Sequence, residues 1–164
     1  MYTQVEITKE GNPMTEFVPE PEITEEQLRQ TVVSLYFTNK DTNTLMPEAR
    51  SLDVKQLTKD PYMTLMNLLI GGPQNSRLQA TIPEGTNINK IELKQNMLVI
   101  DLSKEFIENH SGGVEAESRT IYSIVNTMTQ LNEIESIKIV IDGNENAEFA
   151  DHAIQFTDPF VRQE

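Results

Sequence analysis

Residues 59–73 read KDPYMTLMNLLIGGP, and both ends of that run are punctuated. Asp60 is a helix-capping residue, because its side-chain oxygen can accept a hydrogen bond from a free N–H of a first turn. Pro61 suits that turn, where its missing N–H costs nothing. Tyr62, Leu65, Met66 and Leu69 recur at i, i+3, i+4 and i+7, the period of one helical face. Gly71 or Gly72 can take the positive φ of a C-terminal cap, and Pro73 forbids continuation. A helix so bounded must bury its apolar face against another layer.

The flanking residues supply strands. VVSLYFTN, from Val32, is β-branched and aromatic and reads as a buried strand. KDTNT turns the chain into LMPEARSLDV, an extended piece whose Pro47 suits a sheet edge. Downstream, Ile91 and Leu93 alternate with Glu92 and Lys94, and Leu98, Ile100 and Leu102 alternate with Met97, Val99 and Asp101. Gln95-Asn96 makes the turn between them, since Asn tolerates positive φ. Residues 114–131 form the longest expected helix. Ser118, Ile121, Tyr122, Val125 and Met128 lie on one stripe, widened by Ile124 and Leu131. SIKIVIDG is the last strand. The order β-β-α-β-β-α-β implies an α+β domain, a small mixed β-sheet with two helices packed on one face.

Charge divides the chain further. The formal charge is −13, with −5 in residues 1–30 and −4 in residues 143–164, so the 112 residues between carry only −4. Three regions are expected: an acidic Pro/Glu-rich tether over 1–30, a domain over 31–143, and an acidic extension over 144–164. Nucleic acid is not an expected partner, because it selects clustered Lys and Arg. Cysteine is absent, which excludes disulfides and thiolate chemistry. No apolar run is long enough to span a bilayer, and MYTQVEITKEGNP lacks the basic and apolar regions of an export signal.

Chemistry-bearing patterns are sparse. The glycines at 71 and 72 follow a helix, whereas a phosphate loop places them before one, and no Gly-Lys-Ser/Thr follows. The two histidines, His110 and His152, have no metal-ligand partner at i+3 or i+4 and read as exposed. Residues 142–148, DGNENAE, carry oxygen ligands without the spacing of a calcium loop. Asp101 and Asp142 end strands, and adjacent strand ends could oppose their carboxylates as glycoside chemistry requires; the plainer reading is that both lock turns. No cofactor, metal ligand or catalytic residue is expected.

Four segments together carry a family resemblance: LMNLLIGGP, IPEGT, VIDLSKEF and IVNTMT, in that order. With the strands around them, residues 31–143 resemble the GerMN (germane) domain of sporulation and germination proteins and of lipoproteins in Gram-positive bacteria. The resemblance implies a small α+β fold like the ring-building motif of sporulation channel components. It implies a non-enzymatic role in assembling an envelope or sporulation complex, outside the cytoplasm, with membrane attachment only through an anchor absent from this chain. Gly71, Gly72, Pro73, Pro83 and Gly85 are then structural punctuation. Ile124, Leu131 and a sheet edge at 45–52 are the candidate contacts for other envelope proteins or for self-association. The alternative is a peptidoglycan-binding or hydrolysing accessory using Asp101 and Asp142.

Overall fold

The computed structural model describes residues 29–163. All but the last two residues of the expected tether lie outside that range. Strands β1 (Gln30–Asn39) and β2 (Leu45–Asp53) form an antiparallel hairpin, with Val33, Leu35 and Phe37 buried on its inner face. The turn is closed by the Asn39 side chain, which accepts the N–H groups of Asp41 and Thr42 at 2.8 and 3.2 Å. Pro47 lies opposite Tyr36 on the edge strand. The Tyr36 N–H points away from β2, so Pro47 occupies a position where no cross-strand donor is missing.

Helix α1 (Val54–Lys59) leads at once into α2 (Pro61–Gly71). Asp60 caps α2 by accepting the Met63 N–H at 3.2 Å, and Gly72, at φ 85°, returns its N–H to the Leu69 carbonyl. Leu65, Met66 and Leu69 are fully buried. Each buried side chain of that size contributes roughly 1.5–3 kcal/mol by removal from water. Strand β3 (Leu78–Gln79) pairs with the end of β1, giving the order β2-β1-β3.

The second half begins at Pro83, whose carbonyl accepts the Thr86 N–H across a turn with Gly85 at φ 86°. Strands β4 (Ile88–Lys94) and β5 (Met97–Leu102) are antiparallel. Their turn is at Gln95-Asn96, and it is Gln95 that takes the positive φ, 58°. A short helix α3 (Glu105–Glu108) and helix α4 (Val114–Met128) follow. Strand β6 (Ser136–Ile141) then joins β5 in parallel, giving the order β4-β5-β6. The class is α+β, and the seven expected elements occur in the expected order, with α1, β3 and α3 added between them. The strands divide into two three-stranded sheets.

Helix α4 accounts for that division. Its apolar side buries Ile121, Ile124, Val125 and Met128 completely. Its second buried stripe is polar: Thr120, Ser123 and Thr127. The Gln130 side chain, just beyond the helix, accepts the Ser34 N–H at 3.0 Å and donates to the Ser34 carbonyl at 2.7 Å. Thr127 Oγ1 accepts the Tyr36 N–H at 3.1 Å. A primary amide carries a donor and an acceptor side by side, so Gln130 substitutes for a peptide group of a neighbouring strand. The backbone of β1 is thus satisfied at Ser34 and Tyr36 by side chains, and no strand is needed there. The helix ends at Met128, short of the expected Leu131, because Thr129 Oγ1 back-bonds to Val125 and Gln130 is committed to β1.

Residues 144–163, read from their charge as an acidic extension, pack into the same core. Ala147, Phe149 and Phe156 are buried, and the Phe149 and Phe156 rings meet edge to face at 5.1 Å. Phe160 exchanges backbone hydrogen bonds with Ile137 of β6, both at 2.8 Å. Lys138 is buried on the outer side of β6 and donates its ammonium to the carbonyls of Glu145, Phe156 and Thr157. Three protons meet three acceptors, which offsets much of the cost of burying the charge.

Candidate functional site

Asp101, the penultimate residue of β5, lies beside Asp142, which follows β6, because β5 and β6 run parallel and in register. Asn89 Nδ2 donates to Asp142 Oδ1 at 2.7 Å and to Asp101 Oδ1 at 3.3 Å. Asp142 Oδ2 accepts the Lys104 N–H at 3.1 Å, and Asp101 Oδ2 the Gly143 N–H at 3.2 Å. Asp142 itself has a positive φ of 46°. The structure therefore brings the two carboxylates together, but each of their four oxygens accepts a bond that fixes a turn. Neither faces the other across a gap that could admit a glycosidic bond. Asn89, which ties the pair, carries no motif by which a sequence reading could find it.

The histidines differ from one another. His152 is exposed and bonds Glu148 one turn earlier. His110, expected to be exposed, is half-buried, with its ring centroid 4.9 Å from that of Phe149. Its Nδ1 accepts the Gly112 N–H at 2.9 Å, so Nε2 carries the hydrogen and donates to Thr120 Oγ1 at 2.7 Å. Thr120 passes its own proton to the Thr81 carbonyl at 2.8 Å, while Thr81 Oγ1 donates to Ser123 Oγ at 2.7 Å. Burial holds the His110 ring below the ordinary histidine value, with Asp151 pulling the other way. Nearby, Glu117 is buried in the first turn of α4, and one of its oxygens is unpartnered among the described residues. Burial pushes its carboxyl up, and bonding to Asp151 and the Asp151 charge add to the rise.

This hydrogen-bonded chain forms one wall of a polar pocket of about 170 Å³. Gln79, Thr81, His110, Ser111, Arg119 and Thr120 are among its lining residues. No carboxylate lines it, and Arg119 makes no ion pair or hydrogen bond among the described residues. Three separate segments build it, which is why no local motif announces it. Among the described residues no group of three His, Asp or Glu side chains could hold a metal ion, and in the 142–148 segment the Asn144 side chain is spent on the Asn146 N–H.

The candidate contact residues are also placed. Ile124 is fully buried, so it is core and cannot present a surface. Its stripe faces the β-sheets, and helical periodicity alone does not say how wide a buried stripe is. Leu131 is partly buried against the same core. The glycine-rich stretch after α2 is held by β2: Arg50 donates to the Gly72 carbonyl at 2.8 Å, and Glu48 accepts the N–H groups of Gln74 and Asn75. Burial pushes the Glu48 carboxyl up, but those two amides and Arg50 outweigh it and hold it below the ordinary range. These contacts lie on one side of β2. On the other side the register sets Val32 opposite Ser51, Ser34 opposite Ala49 and Tyr36 opposite Pro47. Val32, Pro47, Ala49 and Ser51 are exposed, and the one charged group placed on this set is Arg162, which donates to the Tyr36 hydroxyl at 3.1 Å.

Comparison with known proteins places this geometry. A family model for Germane, described as sporulation and spore germination, matches residues 34–147. The tandem GerMN domains of the sporulation protein GerM from Bacillus subtilis superpose with a TM-score of 0.68 at 20% identity, over 85% of this chain and 48% of that one. This chain thus spans about half the length of the tandem protein. The first GerMN domain of the same protein alone gives 0.64 at 22% identity, over 82% of this chain and 99% of that one. A protein from Clostridium perfringens designated a lipoprotein gives 0.56 at 24% identity, over 85% and 93%. Among curated proteins no sequence matches significantly.

Proposed function

Because this chain belongs to the Germane family of sporulation and spore-germination domains, we propose that it is a non-catalytic interaction module, working outside the cytoplasm in the assembly of a sporulation or germination envelope complex. The observation that carries this reading is the outer face of the first sheet. In a chain where 24% of residues are charged, Val32, Ser34, Tyr36, Pro47, Ala49 and Ser51 contribute none to this face, which is bounded by Asp53 at one end and by Arg162, whose guanidinium lies 5.6 Å from the Tyr36 ring centroid, at the other. Interface cores are depleted of charge in this way, and a flat sheet face with a free neighbouring edge suits packing against another folded protein. The likeness to a protein designated a lipoprotein supports attachment to a membrane. Among the described residues no helix is long and apolar enough to cross a bilayer.

The test is site-specific photo-crosslinking in sporulating cells. A crosslinker at Ala49 or Ser51 should capture one envelope protein, or a second copy of this chain, while one at Asp41 or Lys59 should not. Equal capture from all four positions, or none from the sheet face, would remove the interaction reading.

A further inference from the structure

The pocket beside the N-terminus of α4 has no part in that docking face. Its lining carries one formal charge, the guanidinium of Arg119. In a chain of net charge −13, an arginine without an acidic partner among the described residues is poorly placed for stability alone, because carboxylates are abundant there and it meets none. His110 adds no second charge, since its Nδ1 is occupied as an acceptor. Helix α4 has Gly113 at its N-cap and no side chain there to accept the first-turn N–H groups. Ala116 of that first turn also lines the pocket. The first turn also carries Glu115 and Glu117, which offset the helix end, so the guanidinium is the positive group at this cavity.

We propose that this pocket binds a carboxylate borne on a small group. The planar fork of a guanidinium pairs with the two oxygens of a carboxylate, and a point charge or a neutral amide lacks that match. No Phe, Tyr or Trp lines the pocket, so it lacks the broad ring platform on which sugars stack. A volume of about 170 Å³ admits a group the size of one small amino-acid residue. The carboxylate has two sources, a free small acid or the C-terminal end of a peptide. The rigid wall on one side, from His110 through Thr120 to Thr81, keeps the pocket formed before the ligand arrives.

The experiment is an NMR titration of the full chain with three probes: acetate, N-acetylglycine and N-acetylglycinamide. Saturable shifts of the Ala116, Arg119 and His110 amides are expected with N-acetylglycine, and none with the amide. If acetate matches N-acetylglycine, the ligand is a free acid; if N-acetylglycine binds several-fold tighter, it is a peptide end. Arg119→Gln should weaken binding at least tenfold with the rest of the spectrum unchanged. Arg119→Lys, which keeps the charge and the helix propensity, should weaken it less. Binding of the amide as tight as the acid, shifts unaltered in both variants, or no saturation by N-acetylglycine at tens of millimolar would overturn the proposal.

Discussion

The two sheets of this domain are finished in opposite ways. The second sheet is wrapped by its own chain. Residues 144–163 lie along β6, bury Lys138 and Val140 on its outer side, and pair Phe160 with Ile137. The first sheet has one edge of β1 closed by Gln130 and Thr127, while its outer face is reached by the wrap at Tyr36, through Arg162, and is exposed at Val32, Pro47, Ala49 and Ser51. The bonds to Ser34 and Tyr36 close that edge of β1, yet only the second sheet is covered along its outer side. The difference teaches that exposure of the first sheet is not a failure of local satisfaction. The exposed part of that face, around Val32, Pro47, Ala49 and Ser51, contributes no charge of its own and is the place to look for a partner.

That comparison can be attacked by removing the cover first. Phe156→Ala takes a fully buried ring out of the aromatic cluster that anchors the wrap. A loss of about 3–5 kcal/mol in urea-induced unfolding is expected. A loss below about 1 kcal/mol would mean that the segment only rests on the sheet. Lys138→Met should cost less, about 1–3 kcal/mol, since it leaves buried carbonyls unpaired but keeps the stem. The same measurement applied to the other sheet sharpens the contrast. Gln130→Ala strips both partners from Ser34, and a loss of about 1–2 kcal/mol should appear with faster amide exchange at Ser34.

A pH series tests the junction between α4 and the wrap. The Glu117 carboxyl is raised in the folded state, so the stability it contributes is full below its unfolded value and is lost as pH rises through the folded one. Glu117→Gln should therefore match the parent at acid pH and exceed it at alkaline pH in thermal melts. His110 acts in the opposite sense. Its folded value is lowered, so stability present at neutral pH is lost as pH falls below the ordinary histidine value. His110→Gln should flatten that acid-side loss. The smallest effect on stability belongs to Ala49→Glu on the open face, within about 0.5 kcal/mol of the parent.

Legibility in the sequence followed the range of the interactions. Helix α2 was readable because Asp60, Pro61, Gly72 and Pro73 signal its ends within the segment itself. The β4–β5 hairpin was readable for the same reason, although the positive φ fell on Gln95. The division into two sheets was not readable, because it depends on Gln130 reaching Ser34 across 96 residues. The wrap was hidden too: Phe149, Phe156 and Phe160 fall at i, i+7 and i+11, a helical spacing, yet the segment is irregular, with Asp151, Asp158 and Pro159 among them. His110 looked exposed because its neighbours in sequence are polar and Phe149, which covers it, is 39 positions away. Asp101 and Asp142 were singled out as a pair, and parallel pairing of their strands does bring them together. What their oxygens do could only be read once Asn89 and two backbone amides were in place.

The most direct test of the central claim is complementation in a sporulating host that lacks this chain, with A49E compared against the parent. The account predicts that A49E folds with unchanged stability, accumulates normally and fails to restore spore formation or germination. Full restoration by a folded A49E protein would contradict it, and would move the working surface away from the open face of the first sheet.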